Sequence, residues 1–317
     1  MSPFPSPAPR DHGGNLDAAK LQYGGARAEW LDLSTGINPV PFPISDIPSQ
    51  SWTALPDSDA QNALEKAARQ FWSVPDQAAV LAAPGASALI ARIPHLQAPG
   101  SVCITHPTYN EHAAAFGDAG WSVTVDPQST ARVLVHPNNP DGRCFDASDV
   151  TGTLSVIDES FCDVMPARSL IAQATKPGVV ILKSFGKFWG LAGMRLGFAI
   201  GDPELVRRLA QMIGPWPVSG PALTIGTRAL SDGAWARATR ARLAQDRVWL
   251  DDVMTRMGAE VTGGTDLFGL YTVEDAAQMQ DRLAQHHIWT RIFPYSTTLI
   301  RLGLPAPHQR AQLEAAI

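Results

Sequence analysis

Val179-Val180-Ile181-Leu182-Lys183-Ser184 runs directly into Phe185-Gly186-Lys187-Phe188-Trp189-Gly190-Leu191-Ala192-Gly193-Met194-Arg195-Leu196-Gly197. The apolar opening is too short and too β-branched for a buried helix, so it reads as a central parallel strand ending at Lys183-Ser184. The turn that follows puts Lys187 just past the strand's carboxyl end, the edge of an open α/β sheet where ligands bind. A partly desolvated lysine there can lose its proton and attack a carbonyl carbon, forming a Schiff base with an aldehyde cofactor. Ser184 and Arg195 are placed to serve the phosphate of such a cofactor. An S-x-x-K with a later arginine also occurs in surface loops, so the assignment needs support elsewhere in the chain.

Composition permits an enzyme without naming one. A chain of 317 residues that is 45% hydrophobic can bury a large core, expected as one large domain with a smaller companion. Cys103, Cys144 and Cys162 cannot form an even disulfide set. No basic, apolar leader opens the sequence and no apolar run nears the roughly 18 residues of a membrane span, so a soluble cytoplasmic protein is expected. Net charge is −5 with no Lys/Arg-rich block. Nothing recommends a nucleic-acid surface, and any anion has to be met by locally placed arginines.

Outward from the central strand, apolar segments at 79–82, 102–105, 123–125, 133–136, 154–158 and 196–200 read as further strands. Helix-length segments separate several of them, which predicts an α/β fold with a mostly parallel sheet. Ser58 and Gln61 suggest a capping box for a helix that runs toward Pro75. Residues 204–256 are long-helical with a break at Pro215-Trp216-Pro217, and 268–273, 289–293 and 298–302 read as strands of a smaller C-terminal domain. The first ten residues carry four prolines and suggest a mobile tail. Residues 11–42 are rich in turn formers and read as an extended arm. The expected division is a tail and arm over 1–45, a large domain over 46–215 and a small domain over 216–317.

Several predicted strands end in residues with chemical potential. Ala83-Pro84-Gly85-Ala86-Ser87 is a small-residue turn before a helix read as starting near Ala88; such a turn can cradle a phosphate, or be an ordinary turn with a Ser N-cap. Ser155-Val156-Ile157-Asp158-Glu159 delivers a carboxylate to the same edge, able to hold a pyridine nitrogen protonated, though helix caps and magnesium ligands also look like this. His136-Pro137-Asn138-Asn139-Pro140 can turn Asn139 toward a ring oxygen, or be a bare turn. His106-Pro107-Thr108-Tyr109 offers a ring that stacks on a cofactor or packs in the core.

In this order the small-residue turn, the tyrosine, N-N-P, D-E and S-x-x-K with a later arginine resemble the pyridoxal phosphate (PLP) enzymes of fold-type I, in the class I/II aminotransferase superfamily. His12-Gly13-Gly14-Asn15 with Leu33-Ser34-Thr35-Gly36-Ile37-Asn38-Pro39 is similar to the threonine-phosphate decarboxylases of cobalamin biosynthesis. The resemblance implies a PLP-dependent lyase acting on O-phospho-L-threonine, with histidinol-phosphate or related aminotransferases as the alternative. A PLP-fold regulatory protein would be expected to have lost the lysine or added a DNA-binding segment, and neither is seen.

Carried over by motif, the resemblance makes Lys187 the Schiff-base lysine, Asp158 the pyridinium partner and Asn139 the contact to the ring hydroxyl. Tyr109 would stack on the ring, and Gly85, Ala86, Ser87, Ser184 and Arg195 would hold the cofactor phosphate. Arg301 would bind the substrate carboxylate and Arg291 its phosphate, or the reverse, with His12 and Asn38 closing the pocket from the arm. No metal ligand is implied. A homodimer is, with the arm completing the partner's site. Two departures from the family pattern stand out. Asp158-Glu159-Ser160-Phe161 has a phenylalanine where a tyrosine is usual, leaving Asn139 to act alone at the ring oxygen. Leu55-Pro56-Asp57 lacks the tyrosine that reaches across the dimer to the cofactor phosphate.

Overall fold

The strand read from the opening stretch is present as Val179–Ser184, third in a seven-stranded sheet. The structure is a computed structural model and describes residues 12–317. The proline-rich residues 1–10, read above as a mobile tail, lie outside the described residues. From one edge to the other, the sheet runs Ala79–Ala83, Gly197–Gly201, Val179–Ser184, Leu154–Asp158, Ala131–Val135, Ser101–Ile104 and Ser122–Thr124. Gly197–Gly201 is antiparallel to both neighbours, and the remaining pairs are parallel.

Both faces of this sheet are covered, which explains its unbroken apolar strands. Successive side chains point to opposite faces: Val156 and Val180 enter one core cluster, whereas Ile157 and Ile181 enter the other. Burying each such side chain contributes about 1.5–3 kcal/mol. The cluster of Val156 and Val180 also holds Val102, Val133 and Phe116, and that of Ile157 and Ile181 holds Phe185, Phe188 and Trp189 from the turn around Lys187.

A second, antiparallel sheet has the order Arg291–Phe293, Ser296–Gly303, Phe268–Thr272, Glu260–Thr265. Its last strand carries no hydrophobic alternation and is largely exposed, so periodicity could not reveal it. The helical stretch divides into Pro203–Ile213, Gly220–Ser231 and Gly233–Arg256, with a break at Asp232 in addition to the one at Pro215. Gly220–Ser231 packs so tightly on Ser58–Trp72 that a Cβ on Gly226 would lie 2.9 Å from Leu64.

Three local readings change. The helix Ser58–Trp72 is capped by Asp57, whose side chain accepts the Ala60 N–H, in place of a box built on Ser58. The helix after the small-residue turn spans Ala86–Ile90 and has Gly85 as its N-cap, with no side-chain cap from Ser87. The arm is not simply extended. It contains a helix, Leu16–Tyr23, capped by Asn15, and a short strand, Leu31–Asp32, paired in parallel with Ile288–Trp289. Leu16, Ala19 and Trp30 are buried with Ala284, which docks the arm on its own chain's C-terminal region.

Candidate active site

The carboxyl ends of three parallel strands meet the start of the reversed one. Asp158 is the last residue of its strand, Ser184 of the next, and Ser184 pairs with Gly197, two residues after Arg195. Ala83 pairs with Gly197 from the other side, bringing Gly85, Ala86 and Ser87 to the same edge. Residues separated by more than a hundred positions are thus collected by strand register alone.

They enclose a cavity of about 120 Å³ lined by Ala86, Ser87, Tyr109, Asn139, Asp158, Ser184, Lys187 and Arg195, with Phe161. Gly85 lies outside the lining. It has φ 86°, and a Cβ there would fall 2.6 Å from Arg195 Nη2, so the glycine makes room for the guanidinium. Arg195 also takes a left-handed conformation, φ 54°, and donates to the Ala192 carbonyl at 3.1 Å.

Asp158 is buried. One carboxylate oxygen meets His112 Nε2 at 2.8 Å, and the other accepts from the Ser160 N–H at 3.0 Å and hydroxyl at 2.6 Å. Burial pushes its pKa up, but the His112 and Ser160 hydrogen bonds and attraction to His112 outweigh this and hold it below the usual carboxylate range. Sequence reading missed His112. Its only signal is helical spacing, three residues after Tyr109 and four before buried Phe116.

Lys187 lies at the junction with a second, larger cavity. Its Nζ is 5.2 Å from the Phe161 ring centroid and has no hydrogen-bond or ion-pair partner among the described residues. Burial, then repulsion from Arg301 and Arg195, lowers its pKa to about 8 against an opposing pull from Asp158. Lys183, four residues earlier, is in a different state. Its Nζ is 2.5 Å from Glu159 Oε2 and 3.7 Å from Asp163 Oδ1, and these carboxylates outweigh burial and keep it charged. Of these two lysines, Lys187 is the one whose amine deprotonates near neutrality.

The larger cavity, about 800 Å³, shares Tyr109, Asn139, Phe161 and Lys187 with the smaller one. His12, Arg291 and Arg301 also line it, together with His106, Thr35, Gly36 and Tyr295. Arg301 is buried; it donates to Asn139 Oδ1 through Nη1 and to the Ser34 carbonyl through Nη2 at 2.6 Å. Burial and neighbouring Arg291 lower its pKa to about 10, which leaves it charged at neutral pH. The two arginines are cross-strand partners. His12 Nε2 meets Glu111 at 2.9 Å. Burial and then Asp158 push Tyr109 up to about 12, keeping it a phenol.

One expectation is corrected. Asn38 does not close the pocket. It is buried, donating to the Phe188 carbonyl at 2.8 Å and accepting from Arg242 at 2.6 Å, so its side chain braces the Lys187 turn from behind. The arm residues His12, Gly13, Thr35 and Gly36 line the cavity of their own chain, because pairing with Ile288–Trp289 and close packing of Gly13 on Ser34 hold the arm there. Of the departures, Phe161 supplies the ring beneath the lysine amine, and Leu55 is 68% exposed.

The family model for aminotransferases of class I and II matches residues 29–317. A threonine-phosphate decarboxylase from Pseudomonas aeruginosa is 39% identical, covering 97% of both chains. One from Sinorhizobium sp is 37% identical, covering 94% of both. Among solved structures, histidinol-phosphate aminotransferase from Sinorhizobium meliloti, in complex with pyridoxal-5'-phosphate, superimposes with a TM-score of 0.81 over 100% of this chain and 97% of its own. At 19% identity that likeness establishes the α/β fold shared with it. With a family match that begins before the large sheet and runs to Ile317, the chain belongs to the class I and II aminotransferases.

Proposed function

We propose that this chain is a PLP-dependent lyase that decarboxylates O-phospho-L-threonine to (R)-1-amino-2-propanol phosphate in cobalamin biosynthesis. One observation carries the reading: the larger cavity presents Lys187, Arg291, Arg301, His12 and His106, and no carboxylate among the described residues that line it. Such a lining suits a substrate with two anionic groups. The two relatives named as threonine-phosphate decarboxylases support it over nearly the full chain.

The smaller cavity fits PLP. Asp158 would pair with the ring nitrogen, Asn139 would meet the ring hydroxyl, and Tyr109 would lie against the ring. Ser184 and Arg195, with the backbone of Gly85, Ala86 and Ser87, would hold the phosphate; the guanidinium pressed on Gly85 is already in place. When bound, PLP supplies an electron-poor ring that takes up the electron pair released at the substrate's Cα. Everything else falls to the chain. Arg301 would hold the carboxylate and Arg291 the phosphate, fixing rotation about the N–Cα bond and so which substituent at Cα is set to leave. A decarboxylase directs the carboxylate out; a transaminase directs the hydrogen. Lys187, titrating at about 8, can return a proton to Cα once carbon dioxide has gone.

The deciding experiment incubates the protein and PLP with O-phospho-L-threonine without a keto acid and measures carbon dioxide and aminopropanol phosphate by mass spectrometry. Stoichiometric release of both supports the decarboxylase. No release, with keto-acid-dependent turnover of histidinol phosphate, replaces it with the aminotransferase reading.

A homodimer is part of the proposal, supported by Trp52, Leu55 and Trp216, which remain 68%, 68% and 54% exposed. We assign the protein to the cytoplasm on its three free cysteines. Among the described residues no helix is long and apolar enough to cross a membrane. The division at residues 45 and 215 is likewise proposed, with the cofactor residues in the middle unit and both substrate arginines in the last.

A further inference from the structure

Arg291, Phe293 and Tyr295 form a column on the wall of the larger cavity. They alternate along the strand Arg291–Phe293 and the turn that follows. The Arg291 guanidinium carbon lies 5.6 Å from the Phe293 ring centroid. The Phe293 and Tyr295 rings stack, with centroids 5.2 Å apart and 26° between planes. Phe293 pairs with Ser296, which leaves Pro294 and Tyr295 as the turn residues. Phe293 is buried, whereas Tyr295 at the tip is 56% exposed.

The other arginine is supported differently. Arg301 is tied by Asn139 and the Ser34 carbonyl, and its guanidinium carbon is 5.3 Å from the buried Phe268 ring. It is locked in place beside Lys187. The column, by contrast, sets the Phe293 ring beneath the Arg291 guanidinium carbon. An aromatic face against a guanidinium limits the orientations the group can take.

We propose that Phe293 and Tyr295 are positioning residues for Arg291: the aromatic column sets the guanidinium plane so that its edge grips the substrate phosphate at the hairpin end of the cavity. The proposal rests on reading the cavity as that of a phosphorylated amino acid. It also separates the two arginines, a rigid inner one for the carboxylate next to Cα and an aromatic-braced outer one for the phosphate.

The test is calorimetric titration of the PLP-saturated protein with inorganic phosphate, comparing wild type with Phe293→Leu, Phe293→Tyr and Tyr295→Ala. Saturation with PLP fills the cofactor's own phosphate site, so binding reports the larger cavity. Phe293→Leu should weaken phosphate by roughly three- to tenfold, the scale of one cation–π contact, and Phe293→Tyr should restore it. Tyr295→Ala, at an exposed position, should show a smaller loss in the same direction. In decarboxylation of O-phospho-L-threonine the Phe293→Leu loss should fall on KM more than on kcat. Phosphate affinity unchanged in both Phe293→Leu and Tyr295→Ala, or no phosphate binding by wild type, overturns the proposal. Failure of wild type to release carbon dioxide defeats the decarboxylase reading instead, and the phosphate affinities still decide the column.

Discussion

The backbone N–H of Asn38 donates to the carbonyl of Lys187 at 3.0 Å, and the Asn38 side chain donates to the next carbonyl, Phe188, at 2.8 Å. The Phe42 N–H continues the contact to the Trp189 carbonyl at 2.9 Å. The turn that presents the lysine is therefore braced by the N-terminal arm.

Asn38→Ala removes the side-chain donor to the buried Phe188 carbonyl and the acceptor for Arg242 Nη2, leaving Arg242 held by Asp246. Stability should fall by about 1–3 kcal/mol, measured by urea denaturation, and kcat should fall because the Lys187 turn loosens. A variant as stable and as active as wild type would remove Asn38 from the support of that turn.

Lys187 titrates at about 8 in the folded protein against an ordinary 10.5. Between those values the unfolded chain binds the extra proton, so the lysine's cost to folding is full below about pH 8 and fades as the pH rises toward 10.5. Lys187→Met should accordingly raise the melting temperature of the cofactor-free protein at pH 7 by several degrees, with the gain shrinking at higher pH. Equal melting temperatures at pH 7 would show that the amine is not desolvated. The same variant should lose all turnover.

Arg301→Lys keeps a charge but loses the planar fork that reaches Asn139 and the Ser34 carbonyl together. The expected result is a fall in kcat/KM for O-phospho-L-threonine of roughly a hundredfold, the scale of a truncated buried charge pair. Steady-state kinetics showing less than a threefold change would mean that charge alone suffices there.

Gly36→Ala tests the aromatic floor. Its Cβ would fall 2.8 Å from Phe268 and 3.0 Å from Phe161, the rings beneath Arg301 and Lys187. Overpacking of this kind costs about 1–3 kcal/mol. A lowered melting temperature with a raised KM is expected. An unchanged KM would show that the rings yield without disturbing either cation.

His112→Leu removes one of the groups that hold Asp158 low. The pKa of Asp158 should rise, so the carboxylate is lost at a higher pH than in wild type, and the acid limb of the kcat/KM profile should move toward neutrality. An acid limb that does not move would assign it to another group.

The sequence by itself determined the strands of the large sheet and the chemistry at their ends. Val179–Ser184 and Leu154–Asp158 are buried on both faces, and such strands appear as continuous apolar runs that stop where Lys187 and Asp158 begin their work. That signal is local, and so it is legible without a fold. What only the tertiary structure decided are relationships between distant segments. Nothing near Asp158 in sequence announces His112, forty-six positions away, and the motif holding Asn38 reads equally well facing the cavity or bracing the turn behind Lys187. The sequence separates Lys187 from Lys183 by position, but their charge states are decided by Glu159 and Asp163 binding Lys183 and by burial and Arg301 depressing Lys187. Strand register and packing, which depend on every element at once, determine which side chain reaches which partner.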